Sequence, residues 1–155
     1  MSAPTIEPHD GPREEILWLF LLAEDSAESL ARYVDTGTVW VARDGDGTVV
    51  GHLQVVADGD TWEILNTAVA ERRQGQGIGR RLLEHAVTEA RRAGVRRVVV
   101  ATAAADIGNL RFYQRCGFRM ERVVQDAFGP ASGYPDPIEI DGIPLRDQVW
   151  FGRDV

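Results

Sequence analysis

Between positions 74 and 79 the chain reads Gln74-Gly75-Gln76-Gly77-Ile78-Gly79, with Arg72, Arg73, Arg80 and Arg81 on either side. This pattern suits an anion. Glycines let the backbone approach a ligand with no Cβ in the way. The free amides at a helix N-terminus, backed by the macrodipole, favour negative charge. A plain tight turn would use the same glycines. Among phosphate ligands, a dinucleotide asks for Gly-x-Gly-x-x-Gly, but counted from Gly75 the last position is Arg80. No acidic residue follows at a strand end to hold a ribose, and the Gly-Lys-Ser/Thr of a P-loop is absent from the sequence. A third candidate is coenzyme A, whose pyrophosphate fits an amide cradle of this kind.

Glu63 is the second residue with chemistry to offer. It stands in an otherwise apolar strand, where partial burial would raise its pKa and suit it to accept a proton near neutrality. Strand alternation gives the other reading, a carboxylate facing solvent. His9, His52 and His85 lack metal-ligand spacing, so no metal is expected. His85 reads as a solvated helix residue; His52, on a strand, either faces a substrate cleft or packs. Cys116, before Gly117, reads as packing rather than as a nucleophile, since no histidine stands near it in sequence.

These residues need elements to position them. The first twelve, with Pro4, Pro8, Gly11 and Pro12, read as a loose arm or one short strand. Residues 13–23 and Ser26–Tyr33 read as helices, with Ser26 an N-cap and Gly37 a stop. Thr38–Arg43 and Thr48–Ala57, rich in Val and Trp, flank the turn Asp44-Gly45-Asp46-Gly47; after Asp58-Gly59-Asp60, Thr61–Val69 completes an antiparallel meander. From Gln76 to Ala93, Ile78, Leu82, Leu83, Ala86 and Ala90 share one helical face, and Gly94 ends the helix. Then come a strand at Arg97–Thr102, a helix at Ile107–Cys116 with Asp106 as N-cap, and strands at Phe118–Val124 and Gln148–Phe151. The order predicts a mixed α/β layer fold.

A chain of 155 residues is of one-domain size, so residues 1–155 are expected to share one core. A net charge of −7 speaks against a nucleic-acid partner and is compatible with a cationic substrate. The single cysteine excludes an internal disulfide and fits a reducing compartment. The apolar run Ile16–Ala23 is too short to cross a bilayer and is flanked by Glu14, Glu15, Glu24 and Asp25. It reads as a buried helix, and the protein as cytoplasmic. The tail from Asp126 to Asp147 is acidic and turn-rich; its acids either draw an ammonium substrate or belong to a solvated loop.

The glycine segment resembles the Gln/Arg-x-x-Gly-x-Gly/Ala signature of the GNAT superfamily of N-acyltransferases. Two more segments extend the resemblance over residues 38–124. Glu63-Ile64-Leu65-Asn66-Thr67-Ala68-Val69 is similar to that family's fourth strand, and Asn109-Leu110-Arg111-Phe112-Tyr113-Gln114-Arg115-Cys116-Gly117-Phe118 to its Tyr-x-x-x-Gly-Phe helix end. The resemblance implies a GNAT-like sheet, mixed but mostly antiparallel and twisted, flanked by helices. It implies acetyl-CoA as co-substrate and direct transfer of acetyl to a primary amine of a small molecule or peptide, by a monomer or homodimer.

By the same resemblance, amides of Gln74, Gly75, Gln76, Gly77, Ile78, Gly79 and Arg80 hold the pyrophosphate. The backbone around Ala68 and Val69 pairs with the pantetheine, and Tyr113 protonates the departing thiolate; Glu63, from its place in the apolar strand, is the candidate base. Tyr113 also reads as an amphipathic packing residue. The family's frequent asparagine, seven residues before the tyrosine, is replaced here by Asp106; Asn109 lies four before it, which weakens a cofactor contact by Asn109. A non-catalytic acyl-CoA sensor that kept the cradle is the alternative.

Overall fold

In the computed structural model, which describes residues 3–155, the strands are β1 (Thr5–Pro8), β2 (Thr38–Arg43), β3 (Val49–Asp58), β4 (Thr61–Val69), β5 (Arg97–Ala103), β6 (Arg119–Val124), β7 (Glu139–Ile140), β8 (Ile143–Pro144) and β9 (Gln148–Asp154). The helices are α1 (Leu17–Ala23), preceded by a 3-10 turn at Arg13–Ile16, α2 (Ala27–Ala31), α3 (Ile78–Arg92) and α4 (Ile107–Arg115). Seven strands form one sheet in the order β1-β2-β3-β4-β5-β9-β6, and β7 and β8 form a separate small hairpin. Every neighbouring pair in the large sheet is antiparallel except β4 and β5. The N-terminal segment is therefore a short first strand on the meander; residues 1 and 2 lie outside the described residues.

One face of the sheet is covered by α3. Its stripe of Ile78, Leu82, Leu83, Ala86, Val87 and Ala90 is buried against Leu53, Val55, Ile64 and Val98. Leu82, Leu83 and Val87 are completely buried, each contributing about 1.5–3 kcal/mol, enough to fix the helix and the amides at its start. The other face is covered by α1 and α2, where Leu19, Phe20 and Leu30 pack on Val39 and Val41. Ser26 caps α2 as expected, its hydroxyl accepting the Ser29 amide at 3.0 Å.

The expectation of a buried helix at 16–23 is corrected. Ile16, Leu19 and Phe20 are buried, but Leu17, Trp18, Leu21 and Leu22 are 37–48 % exposed. A short helix lying on a sheet buries only one stripe, and eight consecutive apolar residues run all the way round it. Among the described residues no helix is long and apolar enough to cross a membrane.

A bulge in β4 decides which of its side chains share a face. Gln54 pairs with Asn66 and Val55 with Ile64, which leaves Leu65 as the extra residue. Before it, Trp62 and Ile64 face α3; after it, Val69 faces α3 while Asn66 and Ala68 face α1 and α2. Glu63 and Asn66 thus share a face that simple alternation would deny them. Pairing between β4 and β5 also ends there, at Ile64 and Val100. Beyond that point the two strands part.

Candidate active site

The parting of β4 and β5 opens a cleft of about 380 Å³, lined also by residues of α1, α2 and the tail. Leu65–Thr67 line one side and Ala101–Ala103 the other, and Glu63, Asn109 and Tyr113 all reach it. The register fixes which peptide groups of β4 are free. Val69 stands opposite Gly51 and the Ala70 amide donates to the Val50 oxygen at 2.8 Å. Alternation then turns the Ala68 peptide groups toward β3 and those of Thr67 and Val69 toward the open edge. Of the two residues expected to meet a pantetheine, Val69 presents its backbone to the gap and Ala68 does not.

At the end of β4 the chain turns through a 3-10 segment, Glu71–Arg73, into the glycine loop. Gly75 and Gly77 have φ of +76° and +83°, and an added Cβ would meet nothing within 4 Å on either. Gly77 is the N-cap of α3 and supplies no side-chain cap. The Arg81 amide bonds to the Gly77 oxygen at 3.1 Å, so Ile78, Gly79 and Arg80 hold the helix amides that lack an intrahelical partner. Unpartnered amides in a row at a helix start are suited to an anion such as a pyrophosphate. Gly79 lies under the Phe112 ring, which brings the start of α3 against α4. The side chains of Gln74 and Gln76 turn back to the scaffold: Gln74 Nε2 donates to the Val69 oxygen at 3.0 Å, and Gln76 Oε1 accepts from Arg73 Nε at 2.9 Å.

Tyr113 is 4 % exposed, its ring stacked among Phe112, Phe118 and Phe151 at 5.2, 5.9 and 5.6 Å. No group among the described residues hydrogen-bonds its hydroxyl. Burial, with Asp106 and Cys116 adding to it, pushes the phenol above its usual range, so it keeps its proton at neutral pH. Glu63, half-buried, has its carboxyl raised by burial first and by Asp58 second, as suits a proton acceptor. Asn109 donates through Nδ2 to Thr102 Oγ1 at 3.1 Å and through its amide to the Asp106 cap at 2.9 Å, which ties α4 to β5.

His52 is not in the cleft. It is fully buried beneath Phe20, and burial takes its imidazole down to about 3, leaving it neutral. Its Nε2 meets Asn66 Oδ1 at 2.8 Å, and Asn66 Nδ2 donates to the Phe20 oxygen at 3.2 Å and to Tyr33 Oη at 3.1 Å. Tyr33 in turn donates to Glu24 Oε1 at 3.0 Å, and Tyr134 donates to Glu24 Oε2. Sequence reading missed this chain of contacts. Its one visible signal was an asparagine inside an apolar strand, a buried amide that needs partners. Half-buried His85 is also less solvated than expected, edge-on to Trp40 at 5.3 Å.

The acidic lining is Glu24, Asp25, Glu63 and Asp106, with Asp25 raised by burial and then by its neighbours Glu24 and Asp106. None of the tail acids lines the cleft. The tail contributes Phe128, Tyr134, Ile140 and Leu145 as a wall, held where Ser26 Oγ donates to the Gly133 oxygen at 2.6 Å. The reading in which tail acids draw the substrate is thereby corrected. Charge comes from the end of α1, from β4 and from the cap of α4. Cys116 is buried, its thiol raised by burial, in the packing role expected.

The model of the acetyltransferase (GNAT) family matches residues 6–118. An uncharacterized N-acetyltransferase of Bacillus subtilis (strain 168), YvbK, is 31% identical over 155 residues, covering 100% of this chain and 99% of its own. Among solved structures, an IAA acetyltransferase of Bacillus cereus ATCC 14579 is 37% identical with a TM-score of 0.87, over 99% of this chain and 100% of that one. A GNAT family acetyltransferase of Elizabethkingia anophelis with acetyl-CoA bound is 32% identical with a TM-score of 0.87, over 97% of each chain.

Proposed function

The chain belongs to the acetyltransferase (GNAT) family, and we propose that it passes acetyl from acetyl-CoA directly to a primary amine of a small molecule or protein. It is an acetyl-CoA-dependent N-acetyltransferase, with acetyl-CoA as its co-substrate. One observation carries the finer reading. Glu63 and Tyr113 line a single cleft where β4 and β5 part, beside the outward-facing amide of Val69 and the uncapped start of α3.

Acetyl-CoA supplies a thioester acyl group. The amides from Gly75 to Arg80 bind its pyrophosphate, and the Val69 edge aligns the pantetheine and polarises the thioester carbonyl. The acidic lining draws an ammonium ion, and Glu63, directly or through one water, takes the proton that makes the amine nucleophilic. Tyr113 returns a proton to the departing thiolate. Burial keeps the phenol protonated until the thiolate forms. With Cys116 buried in the packing, no acyl-enzyme is required. A cytoplasmic setting fits a chain whose one cysteine has no disulfide partner.

Direct transfer is tested by incubating the protein with acetyl-labelled acetyl-CoA, without amine and then with it. The label should stay off the protein and move to the amine. A labelled protein that discharges its acetyl group onto added amine would overturn direct transfer.

A further inference from the structure

The glycine loop is exposed from Gln74 to Gly77, and two of its four residues are glycines with no side chain to pack. Such a segment has many conformations to lose. A cradle that must be ordered by its ligand binds less tightly than one already ordered. The loop nevertheless has an internal brace. Arg73, just before it, is the only buried charged residue among those described, with its side chain 8 % exposed. A guanidinium cannot shed its proton, so a buried one must be paired.

Its two partners lie on different pieces of the fold. Nη1 donates to Asp44 Oδ2, and Nε donates to Gln76 Oε1 at 2.9 Å. Asp44 is itself fixed in the β2–β3 turn: its amide donates to the Thr48 oxygen at 2.8 Å, and its carbonyl accepts the Gly47 amide at 2.9 Å. Gln76 stands between Gly75 and Gly77. On the other side of Gly75, Gln74 is pinned to the Val69 oxygen. Both neighbours of Gly75 are therefore tethered to the scaffold through side chains.

We propose that Arg73 is a positioning residue for the cofactor cradle: braced on Asp44 of the β2–β3 turn, it holds Gln76 and so presets the Gly75–Gly77 amides for a pyrophosphate. This rests on the reading of that loop as the acetyl-CoA cradle. The forked geometry is essential, because a lysine keeps the charge beside Asp44 but cannot hold both partners at once.

The test is a double-mutant cycle on CoA affinity by calorimetry, with R73K, Q76A and the pair. Q76A changes an exposed residue and leaves the Arg73–Asp44 pair intact, so it reports on the brace even if R73K folds poorly. Each single variant should weaken CoA by about tenfold, and the double should be no weaker than either single, as expected when both cut one connection. The KM for acetyl-CoA should rise while kcat at saturating acetyl-CoA holds, a split that general loss of stability would not produce. Q76A binding CoA as the parent does, or a fully additive double, would overturn the proposal. A parent that fails to bind CoA would instead refute the cradle.

Discussion

Tyr113 keeps its ring among three phenylalanines and lines the cleft, so Tyr113→Phe removes only the hydroxyl and leaves the packing in place. Turnover should fall by roughly a hundredfold or more, with CoA affinity and melting temperature little changed; steady-state kinetics under conditions where chemistry limits the rate would check it. Glu63 has a signature of its own. It must be ionised to accept a proton, and burial raises its pKa, so kcat/KM should fall on the acid side at a pH above the ordinary carboxylate range. Glu63→Gln should lower the plateau and abolish that limb, and a mutant with the parent's pH profile would return Glu63 to a structural role. Both residues were singled out in sequence, each within a short segment that resembles the family, and the coordinates add that the two line one cleft. The contacts joining Glu24, Tyr33, Asn66 and Tyr134 were not legible in sequence, since Tyr134 and Glu24 meet across 110 positions.

Helix α3 offers a controlled test of the cradle at the scale of one element. Gly77 at its start and Gly94 just past its end both have positive φ, and an added Cβ meets nothing within 4 Å at either. Alanine should therefore impose a similar backbone strain at both, about 1–2 kcal/mol. Only Gly77→Ala should also weaken CoA, by about tenfold or more where the phosphate must approach; equal CoA affinities by calorimetry would displace the cradle. The helix itself was readable from its apolar stripe and from Gly94, because helical periodicity is a local property. The bulge at Leu65 was not. It exists only in the pairing of β4 with β3, and no local pattern marks the residue left over. The outward side of α1 was misread for a related reason: hydropathy records what a residue prefers, and the sheet beneath has room for only one stripe.

Over the whole molecule, stability should carry the imprint of His52. Its imidazole falls from 6.5 to about 3 on folding, so between those values the unfolded chain binds a proton that the folded chain refuses. Stability therefore rises with pH through this window and is lost as pH falls, by up to about 1.4 kcal/mol per pH unit. His52→Gln should flatten the decline in melting temperature between pH 6.5 and 4, and parallel declines would contradict the assignment. The antiparallel meander and the parallel join of β4 to β5 suited the α/β layering read from element order; the wedge between those strands needed the coordinates. That wedge is where acetyl-CoA and the amine must meet. The most direct measurement is release of CoA thiol from acetyl-CoA against a panel of primary amines, with the products weighed by mass spectrometry. Thiol release should depend on amine and match, mole for mole, an acetylated amine heavier by one acetyl group. Tight acetyl-CoA binding with no amine-dependent thiol release across the panel would contradict the proposed transfer and leave an acyl-CoA sensor in its place.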